Sequence, residues 1–498
     1  MSEPVAMETV EWDDVQRIVL SGYKKLPCSA YLLWRFHRED SAARKHWLAA
    51  VTDRLSRANA GHSDDTPDEV PASQESSKAV NGHHQRAINL ALTASGLDRL
   101  GIDRSALNAF ASEFLEGMSP EPTAGMAQRR SNVLGDLGAS SPQHWEWGGW
   151  EKNRDIDGLL LLFAADNTSL QHLIEAETRA MADVAELIPV ELRGQFKEDR
   201  KEPFGFVDGI SQPKIEGRPK RKHHKHSDKT QGEMLERISL VKPGEFLLGY
   251  LNERKERISL IQQANGGSPT AARDLRRNGT YLVFRQLEQN VRAFDEFVSS
   301  LAEWLGETND WVSARLMGRL PDGKSLVQEG VDQPGGRVRN DFLYYHEDRF
   351  GLACPIGAHV RRANPRDSLG PDPDTALRLS KMHRIIRRGR PYETPAADKA
   401  GTDDQRTEKG MLFIALNADI GGQFEMIQHS WINNPHFNGL YSGTDPISHY
   451  VDQGGHITIQ SRPTNLHIKR PAPFVRVRGG AYFFLPGIQA LHQIASSA

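Results

Sequence analysis

The spacing of apolar residues predicts an α+β protein made of two similar halves, each an antiparallel sheet covered by helices. A strand-like apolar run followed directly by a helical stripe recurs along the chain. Two such units fall in each half, and other β-prone segments lie between or beside them. Sheets with helices gathered on them bury the apolar face of both.

In the first unit Tyr31-Leu32-Leu33-Trp34 precedes a helix with Trp47, Leu48, Val51 and Leu55 on one face. In the second, Leu159 to Phe163 is apolar throughout, as a buried strand is, and a helix through Leu170, Leu173 and Ile174 follows. The third joins Tyr281-Leu282-Val283-Phe284 to an amphipathic stripe of Val291, Phe294, Phe297, Val298, Leu301 and Leu305. The fourth joins Met411 to Leu416 with Phe424, Ile427 and Trp431. Residues 87–92 and 246–250 read as further strands. The arrangement fits two ferredoxin-like halves of the dimeric α+β barrel type. The halves span residues 1–213 and 241–498, with a basic, His-rich insertion at 214–240. Residues 61–84, rich in Ser, Asp, Pro and Gly, and residues 216–233 read as exposed loops.

The 498 residues suffice for large cores, and 38% hydrophobic with 26% charged residues is an ordinary globular composition. A net charge of −3, and no aromatics within the basic run KRKHHKHSDK, argue against a nucleic-acid partner. The run at Leu159 is far shorter than the ~20 residues a membrane span needs. Two cysteines, Cys28 and Cys354, exclude a disulfide scaffold and fit a reducing compartment. The acidic start MSEPVAMETVEWDD has no apolar core of a secretory signal, so the expected location is cytoplasmic. Apolar patterning does not divide core from interface, which leaves a homo-oligomer open.

Three segments carry chemistry. In PFGFVDGISQP, Gly205 and Gly209 bracket Asp208 in a tight loop that can present a carboxylate; read alone, it is as well a turn capping its own backbone. In CPIGAHVRRANPRD, His359 is followed by Arg361, Arg362 and Arg366, either a surface basic loop or a ligand beside cations. In MHRIIRRGRPY, Arg384, Arg387, Arg388 and Arg390 precede Tyr392; a solvated helix end is the plain alternative.

In this order the segments resemble the dye-decolorizing peroxidase family. GFVDG matches its G-x-x-D-G loop, GAHVRRANPRD the segment of the proximal haem histidine, and IIRRGRPY that of the distal arginine. DVQRIVLSGYKKLP, LALTASGLDRLGI, RSNVLGDLGASSP, VKPGEFLLGY, NGTYLVFRQLEQNV, ARLMGRLPDG and FEMIQHSWINNP also read like family blocks, so the resemblance covers nearly the whole chain. It is nearest to the longer, cytoplasmic bacterial branch. Glu393 departs from the glycine that often follows Pro-Tyr, and 216–233 looks like an insertion.

The resemblance implies a non-covalent haem b, and neither cysteine lies in a C-x-x-C-H run. It makes His359 the iron ligand, Asp208 the acid–base group and Arg387 the partner of developing negative charge. Arg366 and Arg361 would meet the haem propionates, Arg366 the better fit. Family members back the histidine with an acidic or polar group; Asp419 is the candidate here, with a helix N-cap as its equal alternative. Tyr392 resembles a surface tyrosine that relays electrons, or else is a half-buried packing residue. The substrates implied are hydrogen peroxide and a bulky aromatic reductant. Free aspartate titrates at ~3.9 against ~6.5 for histidine, so an aspartate base implies an acidic activity optimum. A haem carrier, or a protein that releases iron from haem, is the second reading; it has no need of an Asp–Arg pair. His383, His429, His436, His449, His456 and His467 lack metal-ligand spacing, and His223, His224 and His226 fit a solvated loop.

Overall fold

The computed structural model describes residues 9–37, 41–58, 86–122, 125–219, 229–257, 274–328, 340–395, 407–448, 455–469 and 473–497. The predicted loop at 61–84, His223, His224, His226 and His449 lie outside them.

The apolar runs of the sequence become strands because they offer side chains to two cores at once. Along Gly158–Ala164, Leu160 and Leu162 enter one apolar cluster while Leu159, Leu161 and Phe163 enter the other. Cys28–Phe36 does the same with Ala30 and Trp34 against Tyr31 and Leu33. Such alternation buries both faces of the sheet.

The two halves are joined edge to edge in one ten-stranded sheet. From one side the order is Arg390–Pro395, Thr407–Asn417, Thr280–Gln289 and Val475–Leu485, then Arg86–Leu92, Gly158–Ala164, Cys28–Phe36 and Ala185–Leu187. The seam is the antiparallel pairing of Phe484 with Leu92. The short strand Arg193–Gln195 pairs with Cys28–Phe36. Its Gly194 lies so close to Arg390 that an added Cβ would sit 2.5 Å from the Arg390 Cβ. The sheet therefore curves until its two ends approach.

Helices cover the faces where the stripes predict. Val291–Leu305 starts at Asn290, whose side chain accepts from the Ala293 N–H, and ends at Gly306 in the left-handed region; it buries Phe294, Val298, Leu301 and Ala302. Asn167–Met181 is capped by Asp166, which accepts from the Ser169 N–H. Among the described residues no helix is long and apolar enough to cross a membrane.

Three local expectations change. Residues 246–250 form a buried turn rather than a strand. They follow the helical turn Pro243–Glu245, Leu247 donates back to the Pro243 carbonyl, and Gly249 has φ 94°. The predicted helix after Met411–Leu416 is present over 420–432 but is wound as π-helix, Ile420–Glu425 and Ile427–Ile432. The tail of the basic loop is helical from Lys229 to Ser239, and Lys214–Ile215 pairs in parallel with Leu240–Val241, so the insertion returns beside its own start.

Candidate active site

The loop at Gly205 to Pro213 and the two-residue strand Ile386–Arg387 meet on one side of a cavity. Gly205 and Gly209 have φ of 92° and 79°, the conformation that glycine adopts without strain and that turns Asp208 out of the chain path. The Gln212 side-chain amide donates to the Arg387 carbonyl (3.2 Å), and its oxygen accepts from the Arg387 N–H (3.1 Å). That double bond fixes loop to strand. Arg387 Nη2 stands 3.4 Å from Asp208 Oδ1, with each side chain about one-third exposed (32% and 33%). The pair is thus wet enough to meet a small solute and held by its backbone rather than by its own attraction.

His359 begins the short helix His359–Ala363 elsewhere on the wall. Its Nδ1 donates to Asp445, 3.0 Å from Oδ2 and 3.2 Å from Oδ1. Asp445 is fully buried, and its Oδ1 also accepts from the Ile447 and Ser448 N–H groups and the Ser448 hydroxyl. Burial pushes the Asp445 carboxyl up, but the charge and hydrogen bond of His359 and the nearby Arg362 outweigh this and hold it far below the usual range. Burial likewise works against a charged His359, yet Asp445 lifts it above the ordinary histidine value. The carboxylate keeps a proton on Nδ1 and leaves Nε2 for a ligand. Arg362 locks this side: fully buried, it donates to the carbonyls of Trp431, Asn434 and Gly443.

The space between these groups amounts to about 1730 Å³, part of it open to solvent. Phe204, Phe206, Ile385, Phe413, Phe424 and Ile427 supply apolar wall, and Arg285, Arg319, Arg384 and Arg387 supply cations. Two wall atoms, Arg285 Nε and Gln289 Oε1, are buried without a hydrogen-bond partner. An apolar slot with a carboxylate-backed histidine, an Asp–Arg pair and further guanidinium groups on its wall suits a flat, largely apolar, iron-bearing dianion. The residues present fit a haem.

Several expected site residues stand elsewhere. Asp419 does not meet His359: it caps its own π-helix, Oδ1 accepting from the Gly422 N–H at 2.7 Å, and Asp445 takes the histidine. Arg361 is fully buried against Asp348 and the Cys354 carbonyl, which removes it from the propionate role. Arg366 donates to the carbonyls of Asn340 and Phe342 and to Asn340 Oδ1, which also accepts from Arg319. It therefore stands behind Arg319, the cavity-lining cation that the sequence reading left unnamed. Burial, with Arg366 alongside, pulls Arg319 down to about 10. Tyr392 is a core residue rather than a surface one, 4% exposed, its hydroxyl donating to Glu408 at 2.7 Å. Glu393 pairs with Lys197 and Lys409 at the strand edge.

Beneath Asp419 lies Glu245, 3% exposed, whose carboxylate accepts from the Glu253 N–H. Burial first, with Glu253 and Asp419 adding repulsion, raises its pKa from 4.5 to about 7. A raised carboxylate leaves folding unpenalised below the unfolded value and penalised as pH climbs through the folded one. Glu245→Gln keeps the acceptor and removes the charge. It is expected to stabilise by up to about 3 kcal/mol near pH ~8, with the gain vanishing near pH ~4. Urea midpoints across that range check this; a gain independent of pH contradicts it.

The fold and the site together define a haem peroxidase. No family model matches the chain. A multifunctional dye peroxidase of Amycolatopsis sp. is 30% identical over 82% of this chain and 82% of its own. A dye-decolorizing peroxidase of Exidia glandulosa is 28% identical over 98% and 88%. Among solved structures, a DyP-type peroxidase from Anabaena sp. superimposes with TM-score 0.71 at 22% identity, over 97% of this chain and 94% of its own. A dye-decolorizing peroxidase in complex with 2,6-dimethoxyphenol gives 0.72 at 22% identity, over 98% and 100%. The chain belongs to the dye-decolorizing peroxidase family.

Proposed function

We propose that this peroxidase uses a non-covalent haem b to reduce hydrogen peroxide and to oxidise bulky aromatic donors by one-electron steps. The observation that carries the reading is that the Asp208–Arg387 pair and the Asp445-backed His359 border one cavity. When bound, the haem supplies the redox chemistry. His359 Nε2 would hold the iron, made more basic by the Asp445 carboxylate on Nδ1. Arg319 and Arg384 would take the propionates, with Arg366 behind Arg319. Asp208 removes the proton from one peroxide oxygen and returns it to the other, which leaves as water. Arg387 Nη2 offsets the negative charge that builds as the O–O bond breaks. The phenol complex of a neighbour with this fold supports an aromatic donor. Cys28 and Cys354, buried and unbridged, support a cytoplasmic setting.

Haem titration of wild type and Asp445→Asn tests the assignment. Wild type is expected to take up haem with a histidine-ligated spectrum, and the variant to lose about 10–100-fold in haem retention or turnover. Unchanged retention and turnover in Asp445→Asn sinks the role given to the His359–Asp445 pair.

A further inference from the structure

We infer that Met411 is an oxygen-acceptor site: when peroxide is activated with no aromatic donor at hand, one peroxide oxygen passes to its thioether. The inference rests on the peroxidase reading above and goes beyond it to a modification of the chain itself.

The placement follows from strand alternation. In Thr407–Asn417, Leu412 and Ile414 point into the fully buried core, while Met411 and Phe413 are partly exposed and line the cavity. Across the sheet Met411 faces Leu287, another wall residue. The same strand pairs Ala415 with Arg387. A Cβ added to Gly389, two residues beyond Arg387, would lie 3.5 Å from Met411 Cε. The thioether therefore lies on the cavity wall beside the segment that carries Arg387.

A second methionine provides an internal comparison. Met317 also lines the cavity, but it packs with the Phe294 cluster and is followed by Gly318. A Cβ on Gly318 would meet Val360 and Ala358, the two neighbours of His359, at 3.2 and 3.4 Å. Met317 thus sits beside the segment that carries His359.

A thioether sulfur carries an available lone pair and converts to the sulfoxide, a polar and chiral group. The bound haem would supply the oxygen-transfer chemistry: the sulfur gains one oxygen of hydrogen peroxide as the O–O bond breaks, and an aromatic donor competes for the same two oxidising equivalents. The proton on the transferred oxygen moves to the departing one, which leaves as water. Sulfur is oxidised by two electrons and peroxide is reduced by two, so no further reactant is required. The product places a polar oxygen on an apolar wall and marks turnover that lacked a donor; a sulfoxide reductase reverses it.

The test is peptide mass spectrometry of the haem-loaded protein after hydrogen peroxide, with and without a methoxyphenol donor, beside the haem-free protein. Met126, 39% exposed and outside the cavity, reports oxidation by peroxide in bulk solution. The expected result is that the Met411 peptide gains the mass of one oxygen before the Met126 and Met317 peptides. The gain is expected only with haem present, and the donor should suppress it. Met411→Leu, close in volume, is expected to remove the gain while haem is still bound. The inference is overturned if donor oxidation proceeds but Met411 stays unmodified, or is oxidised no faster than Met126, or equally without haem. Absence of donor oxidation itself would instead bring down the peroxidase reading on which it rests.

Discussion

Asp208→Asn is expected to slow the reaction with hydrogen peroxide by about 10²–10⁴-fold while leaving haem uptake intact, the usual contribution of a positioned acid–base group. The amide fills the same space beside Arg387, and Gln212 still ties the loop to the strand, so the cavity should keep its shape. What disappears is a group able to take a proton from one peroxide oxygen and hand it to the other. Rapid mixing of haem-loaded variant with peroxide, followed in the Soret region, reads this step alone. A rate within a few-fold of wild type would show that another group carries the proton.

Arg387→Leu is the second large effect, about 10²–10³-fold, because it removes the donor aimed at charge that develops during O–O cleavage. Its signature differs from that of Asp208→Asn. Arg387→Leu keeps the group that moves the proton and loses the donor to the developing charge, whereas Asp208→Asn keeps that donor and loses the proton carrier. The Asp208–Arg387 contact is about one-third exposed, so its loss should cost little stability, within the 0.2–1 kcal/mol of surface ion pairs. A variant that unfolds at wild-type conditions, or that keeps the wild-type rate, contradicts the role given to Arg387. In double variants the two losses should fall short of additive, since both act on one O–O bond.

How much of this was legible in the sequence follows from what local pattern encodes. The strands at Tyr31, Leu159, Tyr281 and Met411 were readable because an apolar run in a two-faced sheet has no polar alternative. The seam was not: a single pairing of Phe484 with Leu92 joins two sheets that pattern alone leaves separate. Asp208, His359 and Arg387 were visible through the motifs around them. The partner of His359 was not, because Asp445 lies 86 residues away and reaches it only through tertiary packing. Asp419 reads as a capping aspartate and is one, accepting from the Gly422 N–H, while Asp445 caps Ile447 and Ser448 in the same way. Only the fold decides which one also meets the imidazole. The arginines fail for a related reason. Sequence supplies a cationic cluster, but burial assigns Arg361 to Asp348, Arg362 to backbone carbonyls and Arg319 to the cavity wall. Tyr392 reads as amphipathic, yet its strand lies under apolar neighbours and Glu408 absorbs its hydroxyl.

The most direct test of the central claim is an absorption spectrum of the haem-loaded protein before and after one equivalent of hydrogen peroxide, and again after an aromatic donor. The account predicts a ferric Soret band that shifts within the mixing time and returns as the donor is oxidised. A haem spectrum that peroxide leaves unmoved would contradict it, and would leave the cavity as a place that holds haem without using it.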